Sequence, residues 1–179
     1  MKSFSKLRVS LIGSSMLIAC LGGNAMASDG SVIFTGELTA DSCTIDAGSE
    51  NQTVDLGKVS VNSFGGAVGT RSSSVNFAIA VKDCAESITK VAVRFDGDTD
   101  NANPDLLKLD ASSAAAGIGI EIAAGSTAIP LHTASPYIDI DHGVGKTTTL
   151  NYVARYVSTV PVPTPGQVQA TSQFTLNYQ

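Results

Sequence analysis

The feature that most constrains this chain is a strict two-residue alternation of apolar and polar side chains. Val75, Phe77, Ile79 and Val81 follow it, as do Leu150, Tyr152, Ala154 and Tyr156. A period of two places one set on a single side of an extended strand, and the same spacing gives no continuous stripe on a helix. The pattern recurs at Val91, Val93 and Phe95, at Ile118, Ile120 and Ile122, and at Phe174, Leu176 and Tyr178. Thr53-Val54-Asp55-Leu56 repeats it briefly, and Tyr137 to Ile140 reads as another short strand. No segment carries a helical period. Ser112 to Ala116 is alanine-rich but too short to stand as a helix, so it is expected to form a turn or one helical turn.

Turn chemistry separates these runs at Gly65-Gly66, Asp96-Gly97-Asp98, Asn103-Pro104, Gly125-Ser126, His142-Gly143 and Pro161 to Gly166. Short strands at such spacing predict an all-β, immunoglobulin-like antiparallel sandwich. There is no internal repeat, linker or block of like charge.

The first 27 residues read as an export signal to be removed. Lys2, Lys6 and Arg8 form its basic start, Val9 to Leu21 its apolar middle, and Ala25-Met26-Ala27 a small-x-small cleavage site. Leu17-Ile18-Ala19-Cys20 also matches a lipidation motif. Cleavage after Ala27 instead discards Cys20 and leaves an even pair, Cys43 and Cys84, in an exported chain where disulfides persist. Joining them closes a loop of about 42 residues, for which the chain-entropy relation gives roughly 4 kcal/mol. Of 11 basic residues, the three in the signal are lost, leaving 8 against 16 acidic ones. So acidic a surface disfavours nucleic acid and anionic membranes as partners. Tryptophan is absent, which limits stacking platforms for sugars or bases.

Ser31 to Leu38 is a strand-like run with no obvious partner nearby. Val32, Phe34, Gly36 and Leu38 share one face, and Ser31, Ile33, Thr35 and Glu37 the other. Alternation alone leaves two readings open. The run is either the first strand of a complete sandwich or a strand offered to a neighbouring molecule.

The C-terminus bears on that choice. Gly166 is fourteenth from the end, Tyr178 is penultimate, and Phe174 and Leu176 alternate with polar residues between them. This resembles the β-zipper motif of chaperone-usher pilus subunits. The same family carries a Gly-x-Val-x-Phe-x-Gly-like extension ahead of its first cysteine, matched here by Gly30, Val32, Phe34 and Gly36 before Cys43. Ala154-Arg155-Tyr156 ahead of the Thr164 to Gly166 turn is similar to the major shaft subunits of type 1 pili. The resemblance runs from Ser28 to Gln179, and its specificity lies in the conjunction of these pieces.

The resemblance implies a sandwich lacking its last strand and completed by donor-strand exchange. Residues 1–27 would be the signal, 28–40 the donor extension, and 41–179 the pilin domain. Val32, Phe34 and Leu38 would be knobs entering a neighbour's groove, with Gly36 where a bulky groove residue or backbone comes close. Gly166, Phe174, Leu176 and Tyr178 would belong to the acceptor strand, which also faces a chaperone, and the Gln179 carboxylate would meet the chaperone's basic anchor. A periplasmic chaperone, an outer-membrane usher and other pilin subunits are the implied partners, with passage through the periplasm to a pilus on the cell surface. A minor adaptor or terminator subunit is the alternative within the family. A self-contained periplasmic binding module is the alternative outside it.

Other chemistry fails on spacing. His142-Gly143-Val144-Gly145-Lys146-Thr147 lacks the glycine that a phosphate loop needs five residues before Gly145, where Ile140 stands. The acidic run from Asp96 to Asp105 lacks the glycine of a calcium loop at position six, which is Asn101, and has Leu107 at position twelve. His132 and His142 have no second ligand or nucleophile in a known arrangement. Asp139 and Asp141 do not span a sugar cleft. No catalytic residue, metal site or cofactor is expected.

Overall fold

The computed structural model describes residues 32–36, 38, 42–143 and 145–179. The expected signal at 1–27 and Gly30 lie outside the described residues. The chain divides into two units, Met1–Leu38 and Thr39–Gln179.

Alternation becomes strand wherever a partner is available to take the backbone hydrogen bonds. In chain order the strands of the second unit are β1 (Thr44–Ile45), β2 (Val75–Lys82), β3 (Lys90–Asp96), β4 (Ile118–Ala124), β5 (Thr127–Ile129), β6 (Ile138–Asp139), β7 (Thr147–Ser158) and β8 (Gln173–Tyr178). They form two sheets, ordered β1-β2-β7-β4-β5 and β6-β3-β8, and every ladder between them is antiparallel. This is the predicted immunoglobulin-like sandwich.

Two details depart from the expectations. Residues 53–56 are not a ladder strand. Val54 and Leu56 are half-buried while Thr53 and Asp55 are exposed, so the facing is as expected and only the strand partner is absent among the described residues. Two short helical turns also occur. Asp46 caps α1 (Ala47–Glu50), its Oδ1 accepting from the Gly48 amide at 3.1 Å. A 3-10 turn at Val61–Phe64 ends at Gly65, whose φ of 61° favours glycine.

The core lies between the sheets. Ile79 and Val81 of β2, Val91, Val93 and Phe95 of β3, Ile122 of β4, and Leu150 and Tyr152 of β7 are buried in one cluster. Phe77, Phe95 and Tyr152 form an aromatic trio with ring centroids 5.1 to 6.0 Å apart, two of the three contacts edge-on. A second cluster gathers Phe64, Ala115, Ile118 and Tyr156. Cys43 and Cys84 are disulfide-bonded, the bridge tying the residue before β1 to the loop after β2.

The registers define two ends. Lys82 faces Thr147 and Val91 faces Tyr178, which puts the last residues of β2 and β8 at the disulfide end. Ile118 faces Ser158 at the opposite end, where the loops 65–70 and 159–166 lie.

Candidate functional site

Strand β8 is an edge strand. It pairs with β3 from Val91–Tyr178 to Asp96–Gln173, and no strand lies on its other side among the described residues. Its inward side chains, Phe174, Leu176 and Tyr178, pack against the main core yet stay half-buried, while Gln173 and Thr175 face water. An edge of this kind offers unpaired N–H and C=O groups beside apolar surface.

The inward row is longer than the motif suggests. Burial alternates back from Tyr178 through Leu176, Phe174, Ser172 and Ala170 to Val168. Ala170 reaches the main core and Val168 the second cluster. Sequence reasoning missed Val168, Ala170 and Ser172, although the same period of two marks them. The ladder itself covers only 173–178, so Gly166, expected in the acceptor strand with Phe174, Leu176 and Tyr178, lies outside it. Upstream, the backbone turns to a strap at residues 110–116. Ala114 N and Ala115 N donate to Gln167 O, Asp110 N donates to Gln169 O, and Thr171 Oγ1 donates to Asp110 Oδ2 at 3.0 Å.

Gly166 belongs to that strap contact. A Cβ on it would lie 2.5 Å from Ala114 C and Ala115 N, so close backbone approach within the subunit explains the glycine. Leu56 and Val59 pack on the second cluster together with Val168. The 53–59 backbone makes no backbone–backbone hydrogen bond to another element among the described residues. Leu56, Val59 and Val168, each half-buried, thus meet on the second cluster from two segments outside the ladders.

At the disulfide end the row is closed by a direct link between the sheets. The Cys43 amide donates to Tyr178 Oη at 3.2 Å. The Gln179 main-chain oxygen accepts from Thr89 N at 2.6 Å and Lys90 N at 2.9 Å, which fixes the terminal residue over the β3 start.

In the first unit, residues 32–36 and 38 have no regular structure, and Val32, Phe34 and Leu38 are 77%, 90% and 101% exposed. A Cβ on Gly36 would meet nothing within 4 Å.

The other sequence features resolve into local structure. Asp100 Oδ1 accepts from Ala102 N and Asn103 N, and Asn103 Oδ1 from Asp105 N, so the acidic loop closes on its own backbone. His132 Nδ1 lies 3.0 Å from Asp96 Oδ1. Lys146 is 3.7 Å from Asp141 and Lys90 is 3.1 Å from Asp139. Lys146 precedes β7, a strand where a phosphate loop would require a helix.

One charged group escaped the sequence reading. Glu121 on β4 is buried, and its carboxylate accepts from Arg71 Nη2 at 2.8 Å and Arg155 Nε at 2.6 Å. Burial pushes the Glu121 carboxyl up, but hydrogen bonds and charge from the two arginines outweigh that and hold it below the usual range. No sequence spacing marks this triad, because Arg71 arrives from a loop 50 residues away.

Comparison with known proteins agrees with this architecture. The profile of the fimbrial protein family matches residues 32–179. The chain is 35% identical to the fimbrial subunit type 1 of Salmonella typhimurium, over 97% of this chain and 98% of that one. It is 32% identical to a type-1 fimbrial protein subunit of Serratia marcescens, over 93% and 96%. Among solved structures it is similar to a type I fimbria protein and antigen of Burkholderia pseudomallei, with 33% identity, a TM-score of 0.58, and coverage of 76% and 88%. The P pilus rod subunit PapA shares the fold, with a TM-score of 0.64 over 76% of this chain and 99% of that one. By profile, relatives and fold alike, the chain belongs to the fimbrial protein family.

Proposed function

We infer that this fimbrial subunit is a structural unit of a chaperone-usher pilus shaft, joined to its neighbours by donor-strand exchange. Residues 28–40 of one copy fill the groove beside β8 of the next. The observation that carries the reading is the half-buried row from Val168 to Tyr178, of which the β8 part, Phe174 to Tyr178, lies on a strand with one edge unpaired among the described residues. A donated strand satisfies that edge with backbone hydrogen bonds and covers the row with Val32, Phe34 and Leu38, a mode of peptide recognition by strand addition. Such an apolar edge is an aggregation hazard until it is filled. That hazard is the physical reason for a periplasmic chaperone that lends a strand, and for an outer-membrane usher where the exchange occurs. Export by the 1–27 signal then delivers the chain to the periplasm on its way to the cell surface.

The test is a mature chain carrying a linked second copy of residues 28–40 after Gln179. It is expected to be monomeric and far more heat-resistant than the unextended chain. Equal melting temperatures for the two would overturn the missing-strand reading.

A further inference from the structure

The segment that carries the inward row has two different backings. In an antiparallel pair, main-chain groups point alternately toward the partner and away from it. Lys90 and Gln179 exchange both of their main-chain bonds, Gln179 N donating at 3.0 Å and Lys90 N at 2.9 Å. The alternation therefore turns Gln173, Thr175 and Asn177 toward β3, in register with Asp96, Arg94 and Ala92. Phe174, Leu176 and Tyr178 turn their N–H and C=O groups to the open side.

The ladder stops at Gln173, yet the alternation continues. Gln167, Gln169 and Thr171 extend the set that points away from the open side, and the strap binds each of them. Gln167 O accepts from Ala114 N and Ala115 N, and Gln169 O from Asp110 N. The remaining partners are side chains. Ser113 Oγ accepts from Gln169 N and donates to Gln169 O, both at 2.9 Å. Asp110 Oδ1 accepts from Thr171 N at 3.2 Å, and its Oδ2 from Thr171 Oγ1 at 3.0 Å. Val168, Ala170 and Ser172 exchange no main-chain bond with another segment among the described residues. Their row joins that of β8, backed by the strap where β3 ends.

The extent of this row matches the arm. Val32, Phe34, Gly36 and Leu38 are four positions on one face, whereas β8 offers three, Phe174, Leu176 and Tyr178. An arm laid antiparallel to β8, as every ladder here runs, meets β8 with its first half and the strap-backed residues with its second. Leu38 then falls beyond β8, where the row depends on the strap.

We propose that Asp110 and Ser113 are positioning residues for uptake of the arm. They hold Gln167 to Thr171 in line with β8, so that the arm of a second copy finds one unbroken edge. This rests on the donor-strand reading and deepens it, assigning the far half of the groove to two side chains in place of a sheet neighbour. Both act from the side of the segment opposite the open edge, so neither needs to touch the arm.

The test measures binding of two synthetic peptides, residues 28–40 and residues 28–35, to the mature chain and its Asp110→Ala, Asp110→Asn and Ser113→Ala variants. The short peptide keeps Val32 and Phe34 and lacks Leu38. Wild type should hold the long peptide about tenfold or more tighter than the short one, as burial of a leucine requires. Asp110→Ala should lose that advantage, and Ser113→Ala should lose part of it, while all four proteins bind the short peptide within about twofold. Asp110→Asn should behave as wild type, because its Oδ1 still accepts from Thr171 N and its Nδ2 donates to Thr171 Oγ1. A full long-peptide advantage in both alanine variants, an equal loss for both peptides, or an Asp110→Asn as weak as Asp110→Ala would overturn the positioning role. Equal wild-type affinity for the two peptides would overturn it as well. Failure of wild type to bind either peptide would instead overturn the donor-strand reading beneath it.

Discussion

Replacing Phe34 by alanine in the linked copy of an extended chain tests which face of the arm enters the groove. In the free arm Phe34 is 90% exposed and Ile33, its neighbour on the opposite face, is 83% exposed, so both start in water. Donation with Val32, Phe34 and Leu38 inward moves only Phe34 into contact with the core beside Phe174 and Leu176. Truncating a buried phenylalanine costs about 3–5 kcal/mol. The lower figure applies to a groove whose lining is only half-covered. At about 3 °C per kcal/mol for a domain of this size, Phe34→Ala should lower the melting temperature by about 10 °C. Ile33→Ala should cost no more than about 0.5 kcal/mol, under about 2 °C, because that face stays in solvent. Calorimetric melts of the three extended chains measure both values. Equal losses at 33 and 34 would refute the assigned face, and no loss at 34 would refute insertion altogether.

Three further outcomes are expected. Gly36→Leu should leave the melting temperature of the unextended chain unchanged, since a Cβ there meets nothing, while sharply reducing fibre yield by electron microscopy with chaperone capture intact. Gly166→Ala should cost about 1–3 kcal/mol in denaturant unfolding, because the new methyl meets the fixed backbone of Ala114 and Ala115. Glu121→Gln should cost about 2 kcal/mol near neutral pH by leaving two guanidinium groups without their counter-charge. It should also flatten the acid limb of the stability profile. The depressed carboxyl binds fewer protons folded than unfolded, so its contribution is intact above its ordinary value of 4.5 and is lost as pH falls further. Parallel acid limbs for the variant and the wild type would remove Glu121 from that account.

The alternating residues of β2, β3, β7 and β8 face as their period predicts, because each strand keeps one side on the core, whereas β4 is buried on both sides, with Glu121 and Ala123 covered opposite Ile118 and Ile122. Where the same pattern at Thr53 to Leu56 failed to become a ladder, the side chains still face correctly. Period reports facing, but it carries no information about whether a partner backbone is present. The inward row at Val168, Ala170 and Ser172 was readable but inconspicuous, since small and polar residues give little hydrophobic contrast. The Arg71–Glu121–Arg155 triad was not readable at all, because its members come from a loop and two strands distant in sequence.

Local chemistry therefore settles the all-β class, the facing of the strands and the pairing of Cys43 with Cys84. Each follows from neighbouring residues or from simple counting. Tertiary structure alone decides that β8 is an edge among the described residues and that Leu56, Val59 and Val168 meet on the second cluster. It also places the loops 65–70 and 159–166 at the opposite end from the disulfide. These depend on which strands pair and in what order, a choice made by contacts far apart along the chain, and a period of two is the same for a central strand as for one whose neighbour is another molecule.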